Sequence, residues 1–389
     1  MKEKKGSSFV IVLVTVLITL AAVSAAIAVY FKAAGKEIVD VSEHQAEKEK
    51  LDSLGKLSET LDEIDSKYLF DYDRTEVTDA ACRAMLESLN DEYSCYLDEE
   101  EFKALQDSFN TRFTGAGIVC GTGDQGVVAE EVIEGGPADE AGIKKGDVIK
   151  AIDGKAVTDA DSAKAALRGD AGTPVTITYV RGTAAPVDVK MIRGNIENAT
   201  VSSEMLTGST GLITIRSFGD NTAELFDEAL AGLTDKGMTS LVIDLRNDPG
   251  GLFDQSIKIA DSLLGECLIT YTEDKNGKRV EYESDADKTD LKIAVLVNGS
   301  SASASEVLAA ALKYNGDAVV VGEKTYGKGL VQDIVAFGDG TAMKITSEQY
   351  FAPDGTKIDG TGVTPDEEVK DAADGTKDPV LEKALELLG

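Results

Sequence analysis

Hydrophobic patterning divides this chain into regions of different character. From Phe9 to Phe31, 23 residues pass without a charge, with Lys2, Lys4 and Lys5 before them and Lys32 and Lys36 after. That run is long enough to span a hydrocarbon core and exceeds the roughly 7–15 apolar residues of a cleaved leader, so it predicts a transmembrane signal anchor. Basic residues before the run and an acidic chain after it place residues 1–8 in the cytoplasm and the bulk outside the plasma membrane. The small-x-small site Ala26-Ile27-Ala28 leaves cleavage as the alternative. Residues 32–110 are charged and helix-prone. Leu54, Leu57, Leu61, Ile64 and Tyr68 fall on one helical face, either packed within its own domain or open to a second chain.

From 111 to 193 the pattern changes to short β-like runs with one helix signal, reading as a single small module. From 194 to 389 strands and helices alternate. Gly211–Phe218 and Leu241–Leu245 read as strands, 221–235 and 253–264 as helices, and Lys292–Val297 as a further strand followed by a helical run, Val307–Tyr314. Alternation of this kind predicts an α/β core with a largely parallel sheet.

The chemistry concentrates where that last strand meets its helix. Asn298-Gly299 stops the strand, and Ser303 lies at the turn that opens the helix. Unpaired backbone N–H groups and the positive end of the helix dipole favour developing negative charge there, as a nucleophile that generates an oxyanion requires. Ser303-Ala304-Ser305-Glu306 also fits a simple capping box. Alternating alanines leave room around Ser303 for a peptide carbonyl, however. An upstream turn, Asp248-Pro249-Gly250-Gly251, presents bare N–H groups, and Lys328 follows downstream.

Composition narrows the mechanism. A net charge of −31 argues against nucleic-acid partners. The single histidine, His44, lies beside the apolar run, which removes a Ser-His-Asp triad and a two-histidine zinc site from consideration. Cys82, Cys95, Cys120 and Cys267 have no metal-binding spacing; they read as small buried hydrophobes, with two disulfides as the alternative. No metal or cofactor is called for. Gly322 to Lys328 fits the G-x-x-x-x-G-K of a phosphate loop, but Gly329 stands where that loop needs Ser or Thr, and β-like sequence follows where it needs a helix.

The runs S-A-S-A-S-E and T-Y-G-K-G-L-V-Q, with D-L-R-N-D-P-G-G upstream, resemble the carboxyl-terminal processing (tail-specific) serine proteases. The resemblance implies Ser303 as nucleophile, Lys328 as base and Gln332 as the residue orienting it, with an oxyanion hole from Ala304 and from Gly250 or Gly251. It adds a terminal helix near 378–388 and a dimerisation arm in the N-terminal helical region. The segment Phe113 to Ile118 followed by GGPADEAGIKKGDVIKAIDG resembles a PDZ domain. Gly115, Ala116, Gly117 and Ile118 would then offer N–H groups to a peptide's terminal carboxylate.

A lysine acting as base must be neutral, which its ordinary pKa of about 10.4 forbids at pH 7 unless burial lowers it. Gln332 can hold Lys328 only if the chain between them is irregular, because a straight strand would separate them by about 13 Å. These readings predict a membrane-anchored extracytoplasmic serine endopeptidase acting on polypeptides with accessible C-termini through a Ser-Lys dyad. The alternative is a catalytically silent PDZ receptor.

Overall fold

The computed structural model describes residues 41–389 except 124–125, 134, 198–199, 207, 286–287 and 372–376. The predicted anchor, 9–31, lies outside the described residues; among the described residues no helix is long and apolar enough to cross a membrane.

The chain divides into two compact units, residues 1–75 and 76–389. In the first, helix α1 (Val41–Lys67) carries the predicted apolar stripe. Leu54 and Leu57 are 40% and 45% exposed and Leu61 and Ile64 half-buried, so among the described residues the stripe is not buried in a core. The second unit starts within α2 (Arg74–Glu87). It continues through β1 (Cys95–Leu97) to α3 (Glu99–Phe109), whose start is fixed by a reciprocal capping box between Asp98 and Glu101.

The 111–193 module is an insertion on a two-stranded stem, β2 (Arg112–Gly115) against β9 (Gly194–Glu197). Within it β3 (Ile118–Gly123), β4 (Gly126–Val132), β5 (Val148–Ile152), β7 (Pro174–Val180) and β8 (Val187–Ile192) form an antiparallel sheet, with β6 (Lys155–Ala156) on β5. The short helix α4 (Pro137–Glu140) and α5 (Ala160–Leu167) pack against it. Ala129, Ile149, Val175 and Ile177, all buried, make its own core.

The remainder contains two sheets. The first has the order β10 (Val201–Met205), β11 (Thr210–Ile215), β12 (Ser240–Asp244), β15 (Lys292–Val297), β16 (Ala318–Gly322), β19 (Glu367–Glu368), parallel except for the β10–β11 pair. Its central strands are apolar on both faces, as a doubly covered sheet demands. Leu241, Ile243, Val295 and Val297 face the layer formed by α6 (Thr222–Asp235), α7 (Phe253–Leu263) and α8 (Ala304–Tyr314). Val242, Ala294, Leu296 and Val321 face the C-terminal helix α9 (Pro379–Leu388). The second sheet, β1, β18 (Ala342–Phe351), β13 (Cys267–Asp274) and β14 (Arg279–Ser284), with β17 (Leu330–Ala336) also on β18, is antiparallel throughout.

The expected largely parallel core is therefore corrected to a mixed one. The missed hairpin β13–β14 turns at Asn276-Gly277, where Gly277 has φ +75°. Such an Asn-Gly turn joins neighbouring antiparallel strands rather than parallel ones. All four cysteines are free; Cys120 and Cys267 are half-buried against the hydrophobic cores, as small apolar side chains would be, whereas Cys82 is exposed and departs from the expectation.

Candidate active site

Parallel α/β sheets build sites beyond the carboxyl ends of their strands, and here two such loops are stitched together. After β12 the chain runs Leu245-Arg246-Asn247-Asp248-Pro249-Gly250-Gly251; after β15 it runs Asn298 to Ser303. Asn247 N–H donates to Asn298 Oδ1 and Asn298 Nδ2 donates to Asn247 Oδ1, both at 3.0 Å. Ala302 N–H and the Ser305 hydroxyl donate to the Asp248 carbonyl at 3.0 and 3.1 Å, and the Ser301 hydroxyl donates to the Leu245 carbonyl at 2.7 Å. Ser301 and Ser305 are thus structural and fully buried. Of the serine run, it is Ser303 that borders the cavity.

Ser303 has φ 56° and ψ −116°, a conformation that costs a non-glycine residue about 1–3 kcal/mol and is found where surrounding bonds enforce it. The enforcing group is Glu306. Its fully buried carboxylate accepts Ser303 N–H (2.9 Å) and Lys328 N–H (2.9 Å) on Oε2, and the Thr325 hydroxyl (2.5 Å) and Gly327 N–H (2.7 Å) on Oε1. The capping role read from sequence is real but partial, since the same carboxylate fastens the lysine loop to the serine turn. Tyr350, also buried, places its hydroxyl within reach of the carbonyls of Ser303 (3.1 Å) and Lys328.

Glu306→Gln would replace one acceptor oxygen by an NH2 group facing backbone donors. A loss of about 3–5 kcal/mol in stability is expected on the scale of a broken buried charge site, with at least about 100-fold lower kcat/KM. Thermal melting and peptide cleavage on the same preparations check both.

Gly250 and Gly251 have φ +92° and +148°. A side chain at Gly251 would meet the Phe218 carbonyl oxygen at 2.2 Å, and one at Gly250 would meet the Ala302 oxygen at 2.6 Å and Ser303 Cβ at 2.9 Å. Gly250 N–H donates to Asp248 Oδ1 at 2.8 Å. Among the described residues the N–H groups of Gly251 and Ala304 have no partner. Burial pushes the Asp248 carboxyl up to about 7 against the pull of Gly250 N–H, and its second oxygen has no partner among the described residues.

Ser303, Gly250, Gly251, Lys328 and Gln332 line one cavity of about 440 Å³, whose apolar wall includes Phe109, Phe253, Val331 and Ile334. The chain through Gly327 (φ +94°) and Gly329 is irregular, and β17 begins only at Leu330 with a register shift at Val331/Gln332. Lys328 therefore precedes the strand that carries Gln332, whose side-chain nitrogen is buried with no partner among the described residues. Burial chiefly, and then the Lys344 ammonium, pull Lys328 below an ordinary lysine, while Glu306 and Glu92 act the other way. Since the 322–328 loop leads into β17 and not a helix, it is no phosphate loop.

In the inserted module, residues 115–120 border a second cavity of about 370 Å³, closed on the far side by α5. Ala116 N–H is taken by the Leu167 carbonyl at 3.2 Å, whereas Gly117 N–H has no partner among the described residues. Arg168 is paired with Asp107, which also lines the groove, so Lys164 supplies its unbalanced positive charge.

Known proteins agree with this architecture. Residues 209–369 match the model of peptidase family S41, 128–181 a PDZ domain, and 17–101 the N-terminal domain of the activating protease CtpB. The carboxy-terminal processing protease CtpA of Bacillus subtilis (strain 168) is 32% identical over 355 residues, 86% of this chain and 76% of that protein. The chain belongs to peptidase family S41. Within this family of C-terminal processing serine proteases, a probable CtpA-like serine protease of Staphylococcus aureus (strain COL) is 35% identical, this chain spanning 64% of its length. A solved S41-type fold, the photosystem II D1 C-terminal processing protease, superposes with TM-score 0.51 at 30% identity, covering 82% of this chain and 87% of that one.

Glu306's second function, Tyr350, Lys344 and the paired Arg168 were not singled out from sequence. A helical position three residues after a candidate nucleophile was the available signal for Glu306. For the others the contacts come from strands and helices far along the chain.

Proposed function

We propose that this S41 protein is a membrane-anchored, extracytoplasmic endopeptidase that captures polypeptide C-termini in its PDZ groove and cleaves by a Ser303–Lys328 dyad. The observation that supports the reading is the Glu306 carboxylate, which accepts the backbone N–H of both residues beside the one cavity that they line. Neutral Lys328 takes the Ser303 proton as Oγ adds to the substrate carbonyl. The resulting oxyanion is held by the N–H groups of Gly251 and Ala304, with Gly250 N–H bracing the turn through Asp248. The lysine returns the proton to the departing amine, leaving an acyl group on Ser303 that water then removes. Gln332, on the same wall, orients the lysine or the water. No metal or cofactor enters these steps.

In the PDZ groove the Gly115–Ile118 turn receives the terminal carboxylate, chiefly through Gly117 N–H because Ala116 N–H is held by the Leu167 carbonyl, while the peptide adds beside β3. The exposed stripe on α1 serves for homodimerisation. A chain that binds peptides without cleaving them would be the silent receptor instead.

Activity should rise with pH through the pKa of Lys328, at a pH below the ordinary lysine value of about 10.4, because only the amine form can accept the proton. Removing the like charge by Lys344→Met makes Lys328 easier to protonate, so the acid limb of the kcat/KM profile should move to higher pH. Steady-state cleavage of an unstructured fluorogenic peptide by the full chain from pH 5 to 10 tests it; an unmoved limb would remove Lys344 from the mechanism.

A further inference from the structure

The Lys328 ammonium is transient in the proposed cycle, and among the described residues it has no ion-pair partner. Both oxygens of Glu306 are engaged by backbone and hydroxyl donors. Among the described residues Nζ makes no hydrogen bond, and no carboxylate lies within 4.0 Å of it. What does contact it is an aromatic face. Tyr93, from the Asn90–Ser94 segment just ahead of β1, places its ring centroid 4.8 Å from Lys328 Nζ.

We propose that Tyr93 is a positioning residue for the reaction, its ring face holding Lys328 Nζ beside the serine and accepting the positive charge formed each time the lysine takes up a proton. A cation over an aromatic face gains about 0.5–1 kcal/mol when exposed and about 2 or more when desolvated, which suits a half-buried ammonium lacking an ion pair. The proton balance is that of the dyad. Oγ–H breaks as Oγ–C forms and Nζ gains the proton over the ring; the proton then leaves for the amine nitrogen as C–N breaks. The second half-cycle repeats this with water.

Tyr93 acts through its ring and not as a phenolate. Burial, and then the neighbouring Glu92 carboxylate, push its hydroxyl well above the usual tyrosine range. Its segment is itself held in place. Asp91 accepts Tyr93 N–H at 3.0 Å and the Ser94 hydroxyl, and Ser94 Oγ accepts Thr346 N–H at 2.9 Å from β18. The titratable and charged groups packed around Lys328 are Glu306 from α8, Lys344 and Tyr350 from β18, and Glu92 and Tyr93 from the segment before β1. Tyr326 from its own loop and Asp359, packed against Gly329, complete the set.

The inference rests on Lys328 being the base, and the test separates the two. With the full chain, kcat and kcat/KM of a fluorogenic peptide are measured from pH 5 to 10 for the parent, Tyr93→Phe, Tyr93→Leu and Lys328→Met. Tyr93→Phe keeps the ring face and should stay within about threefold of the parent, with the same acid limb. Tyr93→Leu keeps apolar volume but loses the face. It should lower the plateau kcat by roughly tenfold or more, with the acid limb displaced to lower pH because the ammonium has lost its partner. A Tyr93→Leu profile that matches the parent, or whose limb stays put or moves to higher pH, overturns the proposal and leaves the ring as packing alone. Lys328→Met remaining active would instead discard the base assignment beneath it.

Discussion

Lys328→Met and Ser303→Ala are each expected to lower kcat/KM by about 10⁴-fold or more, and the double variant should be little worse than either single one, because the members of the proposed dyad act as a unit. Folding should survive both. Lys328 is partly buried and Met fills a similar apolar space, while Ser303 makes its fixed contacts through its backbone. Ser303→Gly offers a complementary reading. At φ 56° glycine relieves backbone strain that serine bears, so this variant should melt higher by an amount corresponding to about 1 kcal/mol while remaining inactive. Calorimetry alongside peptide cleavage checks both halves; a Ser303→Gly protein that melts well below the parent would mean that the hydroxyl, and not the backbone, holds the turn.

The Asp248–Gly251 turn, proposed to hold the oxyanion, should be almost as sensitive. Gly251→Ala places a methyl group 2.2 Å from the Phe218 carbonyl oxygen in a backbone region alanine avoids, so the turn must move. Displacing a single oxyanion donor lowers kcat by about 10²–10³-fold, and the clash should also cost stability on the scale of about 1–3 kcal/mol. KM for a peptide bound largely through its C-terminus should change far less. A Gly251→Ala enzyme with normal kcat would place the hole elsewhere, and Gly250, whose N–H is already committed to Asp248, would not be the substitute.

How much of this was legible beforehand follows from the range of the interactions involved. The strand Lys292–Val297, the turn and the helix after it are set by nearest neighbours along the chain, and the pattern of β-branched residues, Asn-Gly and alanines displays them directly. The helices at 222–235 and 253–263 are equally readable, whereas the terminal helix at 379–388 comes through family resemblance. Sequence separation says nothing about the distance from Ser303 to Lys328, however, and that pairing came through family resemblance. The antiparallel sheet escapes a βαβ reading because its one local signal is the Asn276-Gly277 hairpin. Tyr93 and Tyr350 reach Lys328 from distant parts of the chain, through the pairing of β1 with β18, which no local pattern displays. Glu306 was read as a cap because its local bond to Ser303 N–H obeys the helix-start rule, whereas its bonds to Thr325, Gly327 and Lys328 depend on tertiary folding.

The most direct measurement is the mass of the protein itself. The full chain is mixed with an activated peptide ester at a pH above the acid limb, quenched within the first turnover, and digested so that the acylated residue can be located. Acyl mass confined to Ser303 in the parent, and absent in Lys328→Met under the same conditions, is the predicted result. Acylation at Ser301 or Ser305, or equally fast acylation of Ser303 in Lys328→Met, would contradict the dyad.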